Sequence, residues 1–261
     1  MKFSELDEKM RIFETNSDIV VLPGIYMVAR IDGRNFTTLT KSNSAFEAPF
    51  DTRFRDLMVE TTKHLMDCGF KVEYGYTQSD EISLLFDPNI DVFSRKTRKY
   101  NSILAGEASA IFSVMLGKPV SFDCRICQLP AKNNVVDYFR WRNEDASRNA
   151  LNAHCYWMLR KEGMGKKEAD SLVSGKSVSE KNELLFARNI NFNNLPNWQK
   201  RGTGLYWTEI QKTGFNPMKG QEVETTRTAI KVDYDLPMKD EYSGFIENFL
   251  NTKNVRRQKK K

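Results

Sequence analysis

The sequence predicts an α+β protein: a ferredoxin-like, palm-type catalytic sheet with helices packed on it and a largely helical C-terminal extension. Two observations predict this class. Up to about residue 128, strand and helix patterns follow the order β-α-β-β-α-β, which is that of a ferredoxin-like sheet. Beyond residue 133, apolar residues recur at helical spacing. A chain of 261 residues with 40% hydrophobic residues is long enough to bury a sizeable core.

The first strand is predicted at residues 25–31, after a Pro23-Gly24 turn. Arg30 and Asp32 are two positions apart and share one face if the strand continues. Asp51 has the position of an N-cap for an amphipathic helix that ends at Gly69. A β-hairpin follows, with strands over 72–77 and 82–86 and a four-residue connection, 78–81, at its acidic tip.

A second long helix is predicted from Ser94 to Leu116, and a strand at 120–128 completes the sheet. Lys96 and Lys99 share a helical face at i, i+3, and Arg95 shares another with Lys99 at i, i+4. A basic helix start is unfavourable for the helix dipole, so this cluster requires a reason. Binding of a triphosphate is one reason, and an exposed solubilising face is the other.

Helical patterns follow at 136–161, near 166–174 and at 179–188, with late strands near 202–210 and 227–232. We predict a palm-like core over 1–135, a helical and β extension of the same globule over 136–250, and a disordered basic tail over 251–261. The formal net charge of +6 resides in that tail, whose basic residues favour polyanions. No apolar stretch approaches a membrane span and the N-terminus lacks a signal-peptide core, which predicts a cytoplasmic protein.

Several common chemistries are disfavoured. The four cysteines do not form a disulfide scaffold, and small buried cysteines are commoner than a zinc site built on Cys124-x-x-Cys127 with His154 and Cys155. His64 and His154 lie in helical patterns outside any metal or triad motif. The sequence also lacks a P-loop and a GxGxxG fingerprint. A nucleotide-handling protein of this sequence would therefore use a metal ion and basic side chains.

The candidate catalytic residues are Asp32, Asp80 and Glu81. The predicted strand order brings the end of the first strand beside the hairpin tip, with the two aspartates roughly 5 Å apart at the backbone. Two unpaired carboxylates that close repel one another, and a divalent cation relieves the repulsion. The competing interpretations are an Asp32-Gly33 hairpin turn, which the Asp-Gly pattern alone favours, and an acidic tip that points into water.

Gly33 lacks a Cβ and so exposes its carbonyl and lets phosphates approach the backbone. The N–H groups of the next four residues would line a phosphate-binding concavity. These residues are Arg34, Asn35, Phe36 and Thr37.

Several motifs in the same order resemble one family, the tRNA-His guanylyltransferases and their bacterial and archaeal relatives, the guanylyltransferase-like 3′–5′ RNA polymerases. The resemblance spans about residues 20–210. The matching segments are Arg30-Ile-Asp-Gly-Arg-Asn-Phe36, Pro49-x-Asp51, Gln78-Ser-Asp-Glu81, Asp137-Tyr-x-x-Trp-Arg142, Lys181-Asn-Glu183 with Leu185-Phe186, and Asn189-Ile-Asn-Phe-Asn-Asn194.

The resemblance implies a metal-dependent nucleotidyltransferase that activates the 5′ phosphate of tRNA, or of another structured RNA, with ATP or GTP and then adds nucleotides in the 3′–5′ direction. It implies two Mg²⁺ ions bridged by Asp32 and Asp80, with the Gly33 carbonyl as a further ligand, and a homotetramer. Glu81 is implied as an adjacent catalytic candidate. The implied nucleotide-binding residues are Arg30, Asp51 for the base, and Ser79, Lys96 and Lys99 for the triphosphate.

Two segments depart from the family pattern. Ser147-Arg-Asn-Ala-Leu-Asn-Ala153 replaces His-Ile-Asn-Asn-Leu-Tyr-Asn, and Ala48 replaces a lysine before Pro49. We therefore predict template-dependent 5′-end repair of tRNA, with dedicated addition of G-1 to tRNA-His as the alternative. Two further functional classes stay open. One is a nucleotidyl cyclase, which is disfavoured because a Gly-Gly-Asp-Glu-Phe signature is missing, and the second is a noncatalytic RNA-binding module.

Overall fold

The structure, a computed structural model, describes residues 1–41, 46–216 and 221–251. The predicted basic tail lies outside these residues apart from its first position. The helices are α1 (Phe3–Thr15), α2 (Phe36–Lys41), α3 (Thr52–Asp67), α4 (Thr97–Leu116), α5 (Lys132–Lys161), α6 (Lys166–Val173), α7 (Val178–Phe186), α8 (Asn197–Arg201) and α9 (Lys239–Asn251). The strands are β1 (Tyr26–Gly33), β2 (Val72–Gln78), β3 (Glu81–Phe86), β4 (Phe122–Leu129), β5 (Thr203–Asn216) and β6 (Gln221–Asp233).

The strands form one six-stranded sheet in the order β4-β1-β3-β2-β5-β6, with every neighbouring pair antiparallel. Strand β1 lies between β4 and β3, so the two β-α-β units are interleaved as in a ferredoxin-like fold. The α+β prediction is confirmed. The late strands β5 and β6 continue the same sheet beyond β2, so the C-terminal half of the chain extends the N-terminal sheet.

The two faces of the sheet are covered by different helices because side chains alternate along each strand. Met27, Ala29 and Ile31 of β1 belong to the core that also contains apolar residues of α3 and α4. Val28 faces the opposite side, in a second core with residues of α5 and α9 such as Phe139. A third core joins the second half of α5 to α6 and α7. None of the described helices is both long and apolar enough to cross a membrane.

The hairpin tip is tighter than predicted. Gln78 and Glu81 are paired across β2 and β3, so the connection contains two residues, Ser79 and Asp80, instead of four. Ser79 has a φ of 53°, in the left-handed region that such tight connections require. The sequence pattern did not reveal this because Ser79 is neither glycine nor asparagine.

The second long helix begins later than predicted. A 3₁₀ turn (Val92–Arg95) precedes α4, which starts at Thr97 with Lys96 as its N-cap. Arg95 has a φ of 56° and is buried, and its guanidinium donates to the backbone carbonyls of Val21 (2.9 Å) and Ile90 (3.0 Å). The predicted shared face of Arg95 and Lys99 is therefore wrong, because Arg95 lies outside the helix and binds buried carbonyls.

Helix α1 has no buried residue. Its apolar side chains follow the 3–4 spacing of a helix that packs against a partner, and they are exposed, from 46% at Leu6 to 82% at Phe3. Isolated helices this short are marginal in water. The rest of the described chain leaves the apolar face of α1 exposed. This face is therefore available to another molecule.

Candidate active site

The candidate active site lies where β1 ends beside the β2–β3 hairpin. Asp32 is paired with Glu81 of β3 on one side and with Asp123 of β4 on the other. The Gly33 N–H donates to the Asp80 carbonyl over 3.0 Å. The structure thus brings Asp32, Gly33, Asp80 and Glu81 together at one edge of the sheet, as the strand order predicted.

Asp32 and Gly33 do not form a turn. Strand β1 continues through Gly33, whose φ is not positive, and the left-handed residue is Asn35 with a φ of 61°. Glycine is required at position 33 because a Cβ there would lie 2.6 Å from the ring of Phe36. The hairpin-turn interpretation is therefore wrong, since close packing explains this glycine.

The predicted phosphate concavity after Gly33 is partly wrong. The Arg34 N–H donates to the Ser121 carbonyl over 2.9 Å, so that donor is used inside the fold. The Phe36 side chain is 2% exposed and packs between Phe54, Phe112 and Phe122. Phe36 fixes the path of the chain after β1, and Thr37 is the next polar residue to reach the neighbouring cavity.

A buried charge network covers one side of the site. Arg30 shares a face with Asp32, as predicted, with its Nη2 3.8 Å from Asp32 Oδ2 and in contact with Glu81 Oε2. Arg142 of α5 places its Nε 2.9 Å from Glu81 Oε1 and its Nη2 2.6 Å from Asp145. Burial raises the pKa of Glu81, and the two arginines oppose that rise.

An open cavity of about 1210 Å³ begins at this network. Its near side is formed by Arg30, Thr37, Ser79, Asp80 and Glu81, which come from β1, α2 and the hairpin tip. Its far side is formed by α5, α6 and α7 and is rich in cations and aromatic rings. The far-side residues of these two kinds are Trp141, Arg142, Arg148, Tyr156, Trp157, Lys166, Lys167 and Lys181.

Sequence reasoning did not assign these far-side residues to the site. Arg142 and Asp145 are three positions apart on α5, and Arg148 follows after another three, which is the spacing of neighbours on one helical face. That spacing, inside and just after the Asp137-Tyr-x-x-Trp-Arg142 segment, was the available signal. The contact of Arg142 with Glu81 depends on the docking of α5 on the sheet, which the sequence pattern does not reveal.

Asp51 is the N-cap of α3, as predicted. Its carboxylate accepts hydrogen bonds from the backbone N–H groups of Glu47 and Arg53, each at 2.7 Å, and from the Arg53 guanidinium at 2.6 Å. It lines a second cavity of about 80 Å³ that also contains Ser79 and Phe50. Recognition of a nucleotide base by Asp51 stays a prediction.

We expect Asp51→Ala to lower the free energy of unfolding by about 0.5–2 kcal/mol at pH 7, the usual cost of losing an N-cap. The hydrogen bond from Arg53 lowers the pKa of Asp51 from 3.8 to about 2. The wild-type carboxylate therefore stabilises the fold above pH 3.8, and this stability is lost as the pH falls toward 2. Urea unfolding at about pH 7 and about pH 3 measures both effects. The exposed Asp56→Ala in the same helix is the matched control, and equal losses for the two variants would contradict the prediction.

Lys96 and Lys99 lie far from the carboxylates. Lys96 forms a β-bridge with Val20, before the start of β1, whereas Asp32 lies at the end of that strand. The length of β1 separates these positions by ~20 Å at the usual rise per residue. The Lys96 Nζ is also 2.7 Å from Asp18. Within one chain, the predicted grouping of these lysines with Asp32 and Asp80 is therefore wrong.

The cysteines and histidines form no metal site in the part of the chain that the structure describes. Cys124 packs with the α3/α4 core and Cys127 with the α5/α9 core, so the two thiols face opposite sides of the sheet. A single zinc ion cannot bind both. His64 contacts Glu107 at 2.7 Å and His154 contacts Gln199 at 3.0 Å, at separate places in the fold.

The chemistry of the donor set fits Mg²⁺. Asp32 and Asp80 supply hard carboxylate oxygens at one sheet edge, next to a cavity whose far wall is rich in cations. Across the described ranges, no group of three or more His, Cys, Asp or Glu side chains could enclose an ion. Mg²⁺ commonly takes one or two carboxylates and completes its shell with water and substrate phosphates. The pair therefore suits an ion that arrives with a nucleotide.

Comparisons with known proteins identify the family of the chain. A family model described as tRNAHis guanylyltransferase matches residues 7–130, and one described as the Thg1 C terminal domain matches residues 133–243. A "Probable tRNA(His) guanylyltransferase" from Dictyostelium discoideum is 31% identical over 209 residues, which cover 74% of this chain and 80% of that protein. The chain belongs to the tRNA(His) guanylyltransferase family.

Solved structures of relatives of this guanylyltransferase family share the fold. A bacterial tRNA(His) guanylyltransferase (Thg1)-like protein in complex with ATP has a TM-score of 0.73 and 26% identity, covering 95% of this chain and 100% of its own. The GTP complex of such a protein has a TM-score of 0.68 with the same coverage. The family's enzymes are nucleotidyltransferases, so the predicted enzyme class is confirmed and the noncatalytic RNA-binding module is set aside.

Proposed function

We propose that this nucleotidyltransferase adds guanylate to the 5′ end of tRNA-His, in the 3′–5′ direction. The observation that carries the proposal is the meeting of Asp32 and Asp80 at one sheet edge, beside a cavity whose far wall is basic and aromatic. Such a wall suits an RNA end, because phosphates pair with cations and bases stack on aromatic rings. The names of the relatives support the choice of tRNA-His and of guanylate.

The proposed reaction has two steps. A 5′-phosphate oxygen of the tRNA attacks the α-phosphorus of ATP or GTP, and pyrophosphate leaves. The 3′-hydroxyl of an incoming nucleotide then attacks the activated 5′ phosphorus, its proton passes to solvent, and the nucleoside monophosphate leaves. ATP and GTP are proposed as substrates because solved relatives hold them.

Each side chain in this proposal has a defined task. Asp32 and Asp80, with the Gly33 carbonyl, would hold two Mg²⁺ ions; when bound, these ions would supply charge stabilisation to the phosphoryl oxygens. Ser79 and Arg30 line the cavity beside them and would contact the nucleotide. The cations of α5 and α6 would bind the phosphates of the RNA end.

Incubation of tRNA-His lacking G-1 with ATP, GTP and MgCl₂ tests the proposal. The expected result is a product one nucleotide longer at the 5′ end, with no cyclic product from GTP alone. A chain that extends no tRNA would sink the proposal, and turnover of GTP to a cyclic nucleotide without RNA would favour a cyclase.

Template-dependent 5′-end repair is the second candidate. It is favoured by the altered 147–153 segment, of which Asn149, Asn152 and Ala153 line the cavity, and by the likeness to the bacterial Thg1-like protein. A 5′-truncated tRNA with each of the four bases opposite the missing position discriminates the two activities. Addition that follows Watson–Crick pairing supports repair, and guanylate addition opposite every base supports dedicated guanylylation.

We also propose a cytoplasmic homotetramer, with α1 as one contact between copies. The exposed apolar face of α1 supports this, because exposed patches of this kind mark interfaces. Leu6→Glu is expected to lower the mass seen by light scattering without lowering the stability of the chain, since Leu6 is exposed outside the described cores. Lys9→Glu, on the same helix, is the control. An unchanged mass for Leu6→Glu contradicts the role of α1, and cell fractionation tests the location.

A further inference from the structure

We propose that Glu81 is a positioning residue that acts through Arg142: it joins the hairpin tip that carries Asp80 to helix α5. In this role Glu81 is not a metal ligand, although it is adjacent to Asp80 in sequence and opposite Asp32 in the sheet. The proposal rests on the proposed nucleotidyl transfer for its kinetic test, and its metal-binding test is independent of turnover.

Both carboxylate oxygens of Glu81 already face cations. Oε2 contacts the Arg30 guanidinium, and Oε1 lies 2.9 Å from Arg142 Nε. The Glu81 side chain is 16% exposed, whereas Asp32 on the neighbouring strand is 32% exposed. Arg30 donates a hydrogen bond to Oε2, and Arg142 Nε lies against Oε1 as an ion pair without hydrogen-bond alignment. Two guanidinium charges therefore face the carboxylate and oppose the approach of a further cation.

Arg142 is buried and contacts several other residues besides Glu81. Its side chain is 7% exposed, its Nη2 lies 2.6 Å from Asp145, and its guanidinium lies 4.3 Å from the centre of the Trp141 ring. The Tyr76 hydroxyl of β2 lies 3.4 Å from the Arg142 carbonyl oxygen, within reach of a long hydrogen bond. Arg142 is therefore tied to the sheet through its side chain, and its backbone lies against the buried end of Tyr76.

The contact between Glu81 and Arg142 connects the two sides of the cavity. Asp80 precedes Glu81 directly, and Asp145, Arg148 and Asn149 follow Arg142 along α5 as parts of the far wall. The Arg148 and Asn149 side chains both contact Asp145, at 2.5 and 3.1 Å. The contacts from Glu81 to Arg142 and from Arg142 to Asp145 therefore set the separation between Asp80 and the wall that would bind the RNA.

A double-mutant cycle tests whether Glu81 acts through Arg142. Glu81→Gln and Arg142→Gln are each expected to lower kcat about 30-fold or more, and the double variant is expected to lose no more than the worse single variant, because the two residues act as one unit. Asp123→Asn is the matched control, since Asp123 pairs with Asp32 from the opposite strand and is 67% exposed. Losses that multiply in the double variant would overturn the proposal.

A metal-binding measurement distinguishes a positioning role of Glu81 from a role as a metal ligand. We expect Mn²⁺ titration with a nonhydrolysable nucleotide, followed by electron paramagnetic resonance, to show that Glu81→Gln weakens binding by no more than about 100-fold, as for a residue that positions a ligand, whereas Asp80→Asn abolishes measurable binding. Abolished Mn²⁺ binding in Glu81→Gln, as in Asp80→Asn, would overturn the proposal even if the wild type fails to extend tRNA. If a single variant unfolds, the uncharged Glu81→Gln/Arg142→Gln pair, which leaves no lone buried charge between them, takes its place in the titration.

Discussion

Asp32→Asn and Asp80→Asn are each expected to lower nucleotidyl transfer at least about 10³-fold, because charge stabilisation by a bound metal supplies several kcal/mol of the barrier reduction. Asparagine keeps the shape of each side chain but removes the negative charge that attracts a cation. Both aspartates are only partly buried, so the fold should survive. Single-turnover extension of 5′-triphosphorylated tRNA, which bypasses activation, and of 5′-monophosphorylated tRNA measures both chemical steps.

Asp123→Asn is the control for these two variants as well. Asp123 is as close in register to Asp32 as Glu81 is, but its side chain is largely exposed on the other neighbouring strand. We expect its extension rate to stay within about 3-fold of wild type. Near-normal extension by Asp32→Asn or Asp80→Asn would remove that aspartate from the proposed metal pair.

Gly33→Ala is expected to have the second largest effect. The added Cβ would lie 2.6–2.8 Å from three ring atoms of Phe36, and this ring is enclosed by three other phenylalanines. Overpacking of a dense core typically costs about 1–3 kcal/mol of unfolding free energy. Any movement of β1 that relieves the contact also moves Asp32, so activity should fall more than stability alone would explain.

Gly244→Ala provides the matched control for that substitution. Gly244 lies within α9, and a Cβ there would meet no atom within 4 Å. Alanine is favoured over glycine in a helix interior by up to about 1 kcal/mol, so this variant should be as stable as wild type or more so. Urea unfolding and tRNA extension of both variants check the pair. Equal unfolding free energies for the two would show that Phe36 adapts to a side chain at position 33.

The sheet could be predicted from sequence because its signals are local. Short apolar runs bounded by turn signals marked β1 to β4, and helical spacing with an N-cap at Asp51 marked α3. The strand order and the meeting of Asp32 with Asp80 followed from these elements. The start of α4 could not be predicted. Residues 93–95 fit a helical pattern in the sequence, but their backbone has positive φ in the structure. Arg95 resembled a surface cation but is satisfied by buried carbonyls, which only the tertiary fold reveals.

The candidate site was predictable on its sheet side and not on its helix side. Asp32, Asp80 and Glu81 lie at strand ends, where sequence order fixes their neighbours. Arg142, Asp145 and Arg148 reach the cavity through the packing of a 30-residue helix on the sheet, and no local pattern encodes that packing. The same limit explains Lys96 and Lys99: their basic character was visible, but their position at the far end of β1 was not.

The two different cores on either side of β1 have a consequence for how the chain avoids misfolded states. If β1 paired with β3 one residue out of step, Ile31 would enter the polar cavity and Asp32 would be pressed among the apolar side chains under α3 and α4. Burial of an unpaired carboxylate there would be strongly unfavourable. Asp32, which is proposed to hold the metal, therefore also disfavours the slipped pairing of β1 with β3. Selection for chemistry and selection for a single native register act on this one position.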